Sequence, residues 1–336
     1  MEDPPLLPML KPLLKIPKGS KFVFMPDGDR LFVAASERAW MASLSTGELL
    51  FEFEKPARFV RRIAVSDDGT LAAMALSCER VFLYDAQTGE KTHSLKVGDG
   101  ADVSGFEFAP GSHNIMHSSW RILTAITENT DGNFSLQPLR VLEVPPDNPM
   151  YYTAAFAASG NYFACFWTGQ STYNISVLKW PLGEEMQRLS WKRESWQHHS
   201  SDQLCFTPEG HSLLLTNPDG TLALHTLTDA KSKTKEVSLL AEVTKTEAKP
   251  RFFISDLCFS PDGILLTYKL NGILGLWEWP SGKCLGKWKA SEPKPYFDQI
   301  GFSNSGREFV ISLGGSPSGI FVYRTADFIN SDLGLG

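Results

Sequence analysis

One short pattern recurs seven times along the chain, and it constrains the fold more than any other feature. An apolar run ends in Phe or Val, a turn of the Ser-Pro-Asp-Gly kind follows, and a second apolar run begins. The clearest copy is LCFSPDGILLTY, residues 257–268. The others open with FVFMPDG at Phe22, IAVSDDG at Ile63, FEFAPGS at Phe106, AAFAASG at Ala154, LCFTPEG at Leu204 and IGFSNSG at Ile300. Aligned on the end of the first run, one column holds Phe24, Val65, Phe108, Phe156, Phe206, Phe259 and Phe302, spaced by 41, 43, 48, 50, 53 and 43 residues. Self-similarity at such a period marks a repeat architecture. The copies share a mechanism as well as letters: Pro sets the first turn dihedral, and Gly or Asn permits the positive φ that closes the turn.

Each period divides into four short strands. In the second copy they are RRIAV, LAAMAL, RVFLYD and EKTHSLKV; in the sixth, SDLCF, ILLTYK, ILGLWEW and KCLGKWK. They are rich in Val, Ile, Leu, Phe and Trp, and no helical period runs through them. Four strands in roughly 40–45 residues is the dimension of one propeller blade. The predicted fold is therefore all-β: a seven-bladed β-propeller with four antiparallel strands per blade. It occupies residues 1–336 as a single domain, with approximate blades 21–54, 60–97, 103–144, 152–191, 202–243, 254–289 and 298–324. The seventh unit supplies only three strands, DQIGF, REFVISL and GIFVYR. The segment LLKIPKGS, residues 13–20, stands where an outer strand stands in other units. The N-terminal strand is thus expected to complete the last blade and close the ring, which removes an open sheet edge. The remaining TADFINSDLGLG does not read as a strand, and deletion of residues 327–336 is expected to matter much less than loss of the N-terminal strand.

The residues Tyr84-Asp85-Ala86-Gln87-Thr88-Gly89, and more loosely Trp277-Glu278-Trp279-Pro280-Ser281-Gly282, resemble the third-strand ending of the WD-repeat family. Other units carry Ala42-Ser43, Leu178-Lys179 and Tyr323-Arg324 at the Trp-Asp position, and no unit carries the family's Gly-His dipeptide ahead of its first strand. Packing between blades is then expected to carry more of the stability than a buried His–Asp network. The resemblance implies a rigid scaffold for macromolecular partners.

The net charge of −6 argues against broad binding to nucleic acid or anionic lipid. MEDPPLLPMLKPLLKIPKGS lacks the order of a secretory signal, and no apolar stretch reaches the length of a membrane span. Cysteines 78, 165, 205, 258 and 284 form no CxxC pair, as suits a reducing compartment. A cytoplasmic location is expected, with the nucleus an alternative.

No HExxH, GxSxG, GxGxxG or Walker loop occurs. No catalytic residue, metal ligand or cofactor is predicted. His198-His199 is the sole histidine pair, with no third ligand at a useful spacing. Asp202, Asp298 and Glu107 are the channel carboxylates that a metal-dependent, lactonase-like propeller would use. Phe59-Val60-Arg61-Arg62 invites comparison with phosphoinositide-binding propellers, although Val intervenes before the Arg pair. The run from Lys231 through Lys233 to Lys235 reads as a solubilising hairpin tip.

The long connections between units, residues 144–152, 191–201, 243–253 and 289–298, join outer to inner strands and so emerge on one face of the disc. They carry Tyr152, Arg193, Trp196, Arg251 and Tyr296. Tyr, Trp and Arg dominate binding hot spots, and three of the four connections contain stiffening proline. The expected function is a non-catalytic scaffold that binds a protein or peptide through this face.

Overall fold

The structure, a computed structural model, describes residues 6–54, 58–77, 80–97, 103–119, 123–139, 150–168, 172–192, 204–216, 222–227, 234–235, 254–269, 273–289, 296–314 and 319–330. Seven antiparallel sheets follow one another along the chain. Their innermost strands are Lys21–Phe24, Val60–Val65, Val103–Phe108, Met150–Phe156, Leu204–Phe206, Ile254–Phe259 and Tyr296–Phe302. Each ends on the aligned Phe or Val. Inner strands of consecutive blades pack on one another all the way round, and the seventh returns to the first. The architecture is a closed seven-bladed propeller.

The recurrent turn does what its letters imply. In six blades the turn glycine donates to the carbonyl three residues earlier, as from Gly69 to Ser66 at 2.8 Å and from Gly263 to Ser260 at 3.1 Å. Both glycines hold positive φ, 68° and 87°, where a side chain would be strained. In the third blade the bond keeps its place, from Ser112 to Ala109, and the glycine stands one residue earlier, at Gly111.

Each sheet is buried on both faces, so its two middle strands are nearly continuously apolar. Alternation then decides which neighbour a side chain meets. In Leu71–Leu76 of the second blade, Ala72, Met74 and Leu76 join a cluster with Phe32, Met41 and Phe53 of the first. Ala73 and Ala75 join Phe106, Phe108 and Ile115 of the third. Similar apolar clusters fill the other junctions. The outer strand Lys91–Lys96 alternates between exposed and half-buried instead.

Ring closure follows the predicted route. Leu14–Pro17 pairs antiparallel with Gly319–Val322 as the outer strand of blade seven, and Ile16 is 2% exposed. Two further elements went unforeseen. Leu6–Pro8 adds in parallel to the outer strand Lys283–Lys289 of blade six, giving that sheet five strands rather than four. Residues Thr325–Asn330 form a short helix, α1, whose Phe328 is 1% exposed. The C-terminal segment is therefore anchored as well, through Phe328. Among the described residues, no helix is long and apolar enough to cross a membrane.

Candidate functional site

Two faces follow from the meander. Turns between first and second strands lie on one face, the turn face. Turns between second and third strands, and the starts of the inner strands, lie on the other, the connection face. Of the residues expected to bind a partner, Tyr152 and Tyr296 fall at the connection-face starts of the inner strands of blades four and seven. Tyr152 sits where the register shifts between Tyr151 and Thr153. Asp298 occupies the equivalent bulge of blade seven, between Phe297 and Gln299. Such bulges recur at the inner-strand starts of blades two, three and six. Arg193, Trp196 and Arg251 lie outside the described residues, as do Asp202, His198, His199, Lys231 and Lys233. The backbone therefore brings Tyr152, Tyr296 and Asp298 to one mouth of the ring.

Polar side chains on three inner strands stitch blade seven to one, six to seven and three to four. Gln299 accepts from the Phe22 amide at 3.2 Å and donates to the Phe22 carbonyl at 3.0 Å. Asp256 accepts from the Ile300 amide at 2.9 Å and from the Leu257 amide at 3.0 Å. Glu107 accepts from the Phe156 amide at 3.2 Å. Water reaches the Glu107 side chain, yet the protein atoms crowding it desolvate the carboxylate and push its pKa up to about 7; the Phe156 bond opposes the rise and nearby Asp67 adds to it. Desolvation likewise pushes Asp256 up to about 7, against its two amide bonds and the Arg62 charge. Glu107, the candidate channel carboxylate, makes a structural bond here. Asp256 and Gln299 were missed. The signal was available: Arg62, Asp256 and Gln299 share one aligned position, three residues before the aligned Val or Phe.

His113 forms a second polar centre, on the turn face between blades two and three. Its Nε2 lies 2.9 Å from Asp68 and its Nδ1 lies 2.8 Å from Glu128. Thr70 Oγ1 stands 3.2 Å from Nε2. The spacing resembles a nucleophile, base and orienting acid, but the protonation argues otherwise. Partial burial works against the imidazolium, and the bonds to Asp68 and Glu128 outweigh it, holding the pKa above the ordinary histidine value. Both nitrogens then donate to carboxylates, and the Thr70 hydroxyl donates to Asp68 at 2.8 Å. No nitrogen is left to accept a proton from Thr70. Burial also works against the Asp68 carboxylate, but bonds from Ser66, Thr70 and His113 hold it well below the usual carboxylate range. The cluster is an ionic clamp between blades.

That clamp has a pH signature. A histidine whose pKa is raised on folding contributes stability that is complete below its unfolded value and is lost as pH rises through the folded value. We expect His113→Gln to lose about 1 kcal/mol at pH 6, given the partial exposure of the partners. The loss should shrink by pH 8.5. Glu107 and Asp256, both raised, also weaken the fold as pH rises, but they are present in both proteins and cancel in the difference. Denaturant melts of the pair at the two pH values provide the check, and an equal loss at both would refute the clamp.

Burial pushes the Cys165 thiol up to about 12, against the Ser176 amide and with a contribution from Glu185. Cys205 and Cys258 are raised too, by desolvation first and then by the Asp256 charge. These thiols are protonated at neutral pH and poor nucleophiles. Among the described residues, no three His, Cys, Asp or Glu side chains come together as a metal would require. A cleft of about 600 Å³ opens between blades four and five, lined by Tyr162, Lys179, Met186, His211 and Leu227 among others.

No family model matches the chain, and no curated protein does. Solved structures match over almost the full length. The Cps50 (Swd1) β-propeller domain of Myceliophteria thermophila superposes with a TM-score of 0.74 at 16% identity, covering 93% of this chain and 99% of that one. The RRP9 WD40 repeats give 0.70 at 16% identity, covering 95% and 98%. The fold is that of the WD-repeat propellers. A chain of Kuenenia stuttgartiensis hydrazine synthase gives 0.71 at 12% identity, covering 93% and 96%. The same propeller therefore occurs in an enzyme, and the fold does not by itself assign a function.

Proposed function

We infer that this propeller is a non-catalytic scaffold that docks a protein or peptide on its connection face. One observation carries the reading. Every sheet is packed on both sides within a closed ring, so the face is rigid before any partner arrives. Preorganisation lowers the entropy lost on association. Tyr152 and Tyr296 start inner strands on that face, and the connections bearing Arg193, Trp196 and Arg251 depart from it. The polar groups described in the ring support the same reading, since Glu107, Asp256, Gln299 and His113 are engaged in holding blades together.

Truncating a central anchor typically costs about 2 kcal/mol or more of binding, whereas rim residues cost little. Trp196→Ala combined with Arg251→Ala is expected to leave the melting temperature nearly unchanged and to weaken a captured partner at least about tenfold. Equal affinity for both proteins would place the interaction elsewhere. A large fall in stability would show Trp196 to be core.

A further inference from the structure

The net charge of −6 conceals a separation of charge between the two faces. Turns on the turn face present Asp27, Asp29, Asp67, Asp68, Glu209 and Asp262. The connection face of blades one and two carries the opposite sign. There the segment Arg58–Val60 is threaded between two neighbouring turns. The Val60 amide donates to the Ser36 carbonyl of blade one at 2.8 Å, and the Ser77 amide of blade two donates to the Phe59 carbonyl at 3.0 Å. These two bonds gather Arg38, Arg58, Arg61 and Arg80 around Phe59. All four arginines are exposed, and Phe59 is 51% exposed. Lys96 pairs in register with Arg80 and extends the patch outward, while Arg62 extends it toward the ring axis. Among the described residues nearby, Glu52 is bonded to Arg38, and Glu37 is the other acid of that turn.

We propose that this sector docks an extended acidic segment of a partner protein, with an apolar residue of that segment seated on Phe59. This rests on the scaffold reading above and names the chemistry of one partner. Arginine predominates, and its planar fork suits carboxylates in bidentate geometry. A single exposed aromatic suits one apolar anchor. Single-stranded nucleic acid is held by successive aromatics along a basic groove. Membrane docking needs a broader apolar face than one ring, and the other large exposed apolar side chains, Leu13, Leu49, Leu50, Leu136, Leu182 and Met186, belong to outer strands and adjoining turns.

The test uses the full chain and a short fluorescein-labelled peptide of Glu and Asp with one central Leu. Saturable, salt-sensitive binding is expected. Arg58→Glu with Arg80→Glu should weaken it at least about tenfold, and Phe59→Ala should weaken it by a smaller factor. Lys179→Glu with Arg307→Glu changes the net charge equally on the turn face and should leave binding intact. Thermal melts confirm that each variant is folded, and Arg58→Gln with Arg80→Gln replaces the reversal if it is not. Absence of saturable binding, or equal weakening by the turn-face pair, would overturn the proposal. So would tighter binding of an oligothymidine of equal length, or of phosphatidylserine vesicles. If the peptide fails while Trp196→Ala with Arg251→Ala still releases a captured partner, the scaffold reading stands and only this inference falls.

Discussion

Removing residues 1–18 is expected to lower the unfolding free energy by more than about 4 kcal/mol and to make the protein aggregate on mild heating. The deletion takes away two strands. Loss of Leu14–Pro17 strips Gly319–Val322 of its antiparallel partner and leaves a row of unpaired amides and carbonyls at the edge of blade seven. Ile16, in contact with the cluster that contains Phe22, Leu31, Val310 and Ile320, goes with it. Burying an isoleucine of that kind is worth roughly 3 kcal/mol on its own. Loss of Leu6–Pro8 uncovers the outer edge of blade six, and with it Leu7, Met9 and Leu10 leave the cluster around Trp288 and Phe309. Chemical denaturation of the truncated and parent chains measures the difference. A truncated chain that unfolds at the parent's midpoint would remove the closure argument.

Phe328→Ala is expected to cost about 3–4 kcal/mol, an effect comparable to a core truncation in the middle of a blade. The helix that presents it, α1, spans only six residues and would not persist alone. It is pinned at its start, where the Thr325 amide donates to the Arg307 carbonyl at 2.8 Å and the Thr325 hydroxyl donates to the Gly306 carbonyl at 2.8 Å. Phe328 then inserts edge-on between Trp288, Phe309 and Tyr323, at ring separations of 4.5, 4.8 and 5.4 Å. Asp327, one residue away and exposed, should tolerate alanine within about 0.5 kcal/mol. Equal midpoints for Phe328→Ala and the parent would show that the helix does not hold blades six and seven together.

The two truncated ends explain what could be read in advance. The seven turns were legible because each is local: one glycine or its neighbour, one hydrogen bond across three residues, and apolar runs on either side. Closure by residues 13–20 was legible because a blade lacking its fourth strand must find one. Leu6–Pro8 was not, since two leucines between Pro5 and Pro8 carry no alternation and the strand's partner, Lys287–Lys289, lies far along the chain. The helix was missed because six residues with one large apolar anchor cannot show a helical period. A shared polar position marked Asp256 and Gln299, but their inter-blade bonds, like that of Glu107, were hidden because the partners are backbone amides and carbonyls, which any sequence supplies. Nothing in the sequence singled out His113, because Asp68 lies 45 positions away. The proposed binding face rests on topology and residue type, since the long connections follow no strand period.

Hydrogen exchange on the full chain, alone and bound to its captured partner, tests the scaffold account most directly. The account predicts added protection on connection-face residues 36–38 and 58–62, and on the long connections 144–152, 191–201, 243–253 and 289–298. It predicts little change at the turn-face residues 25–30, 66–70 and 260–264. Added protection confined to those turns, with the connections exchanging as in the free protein, would contradict it.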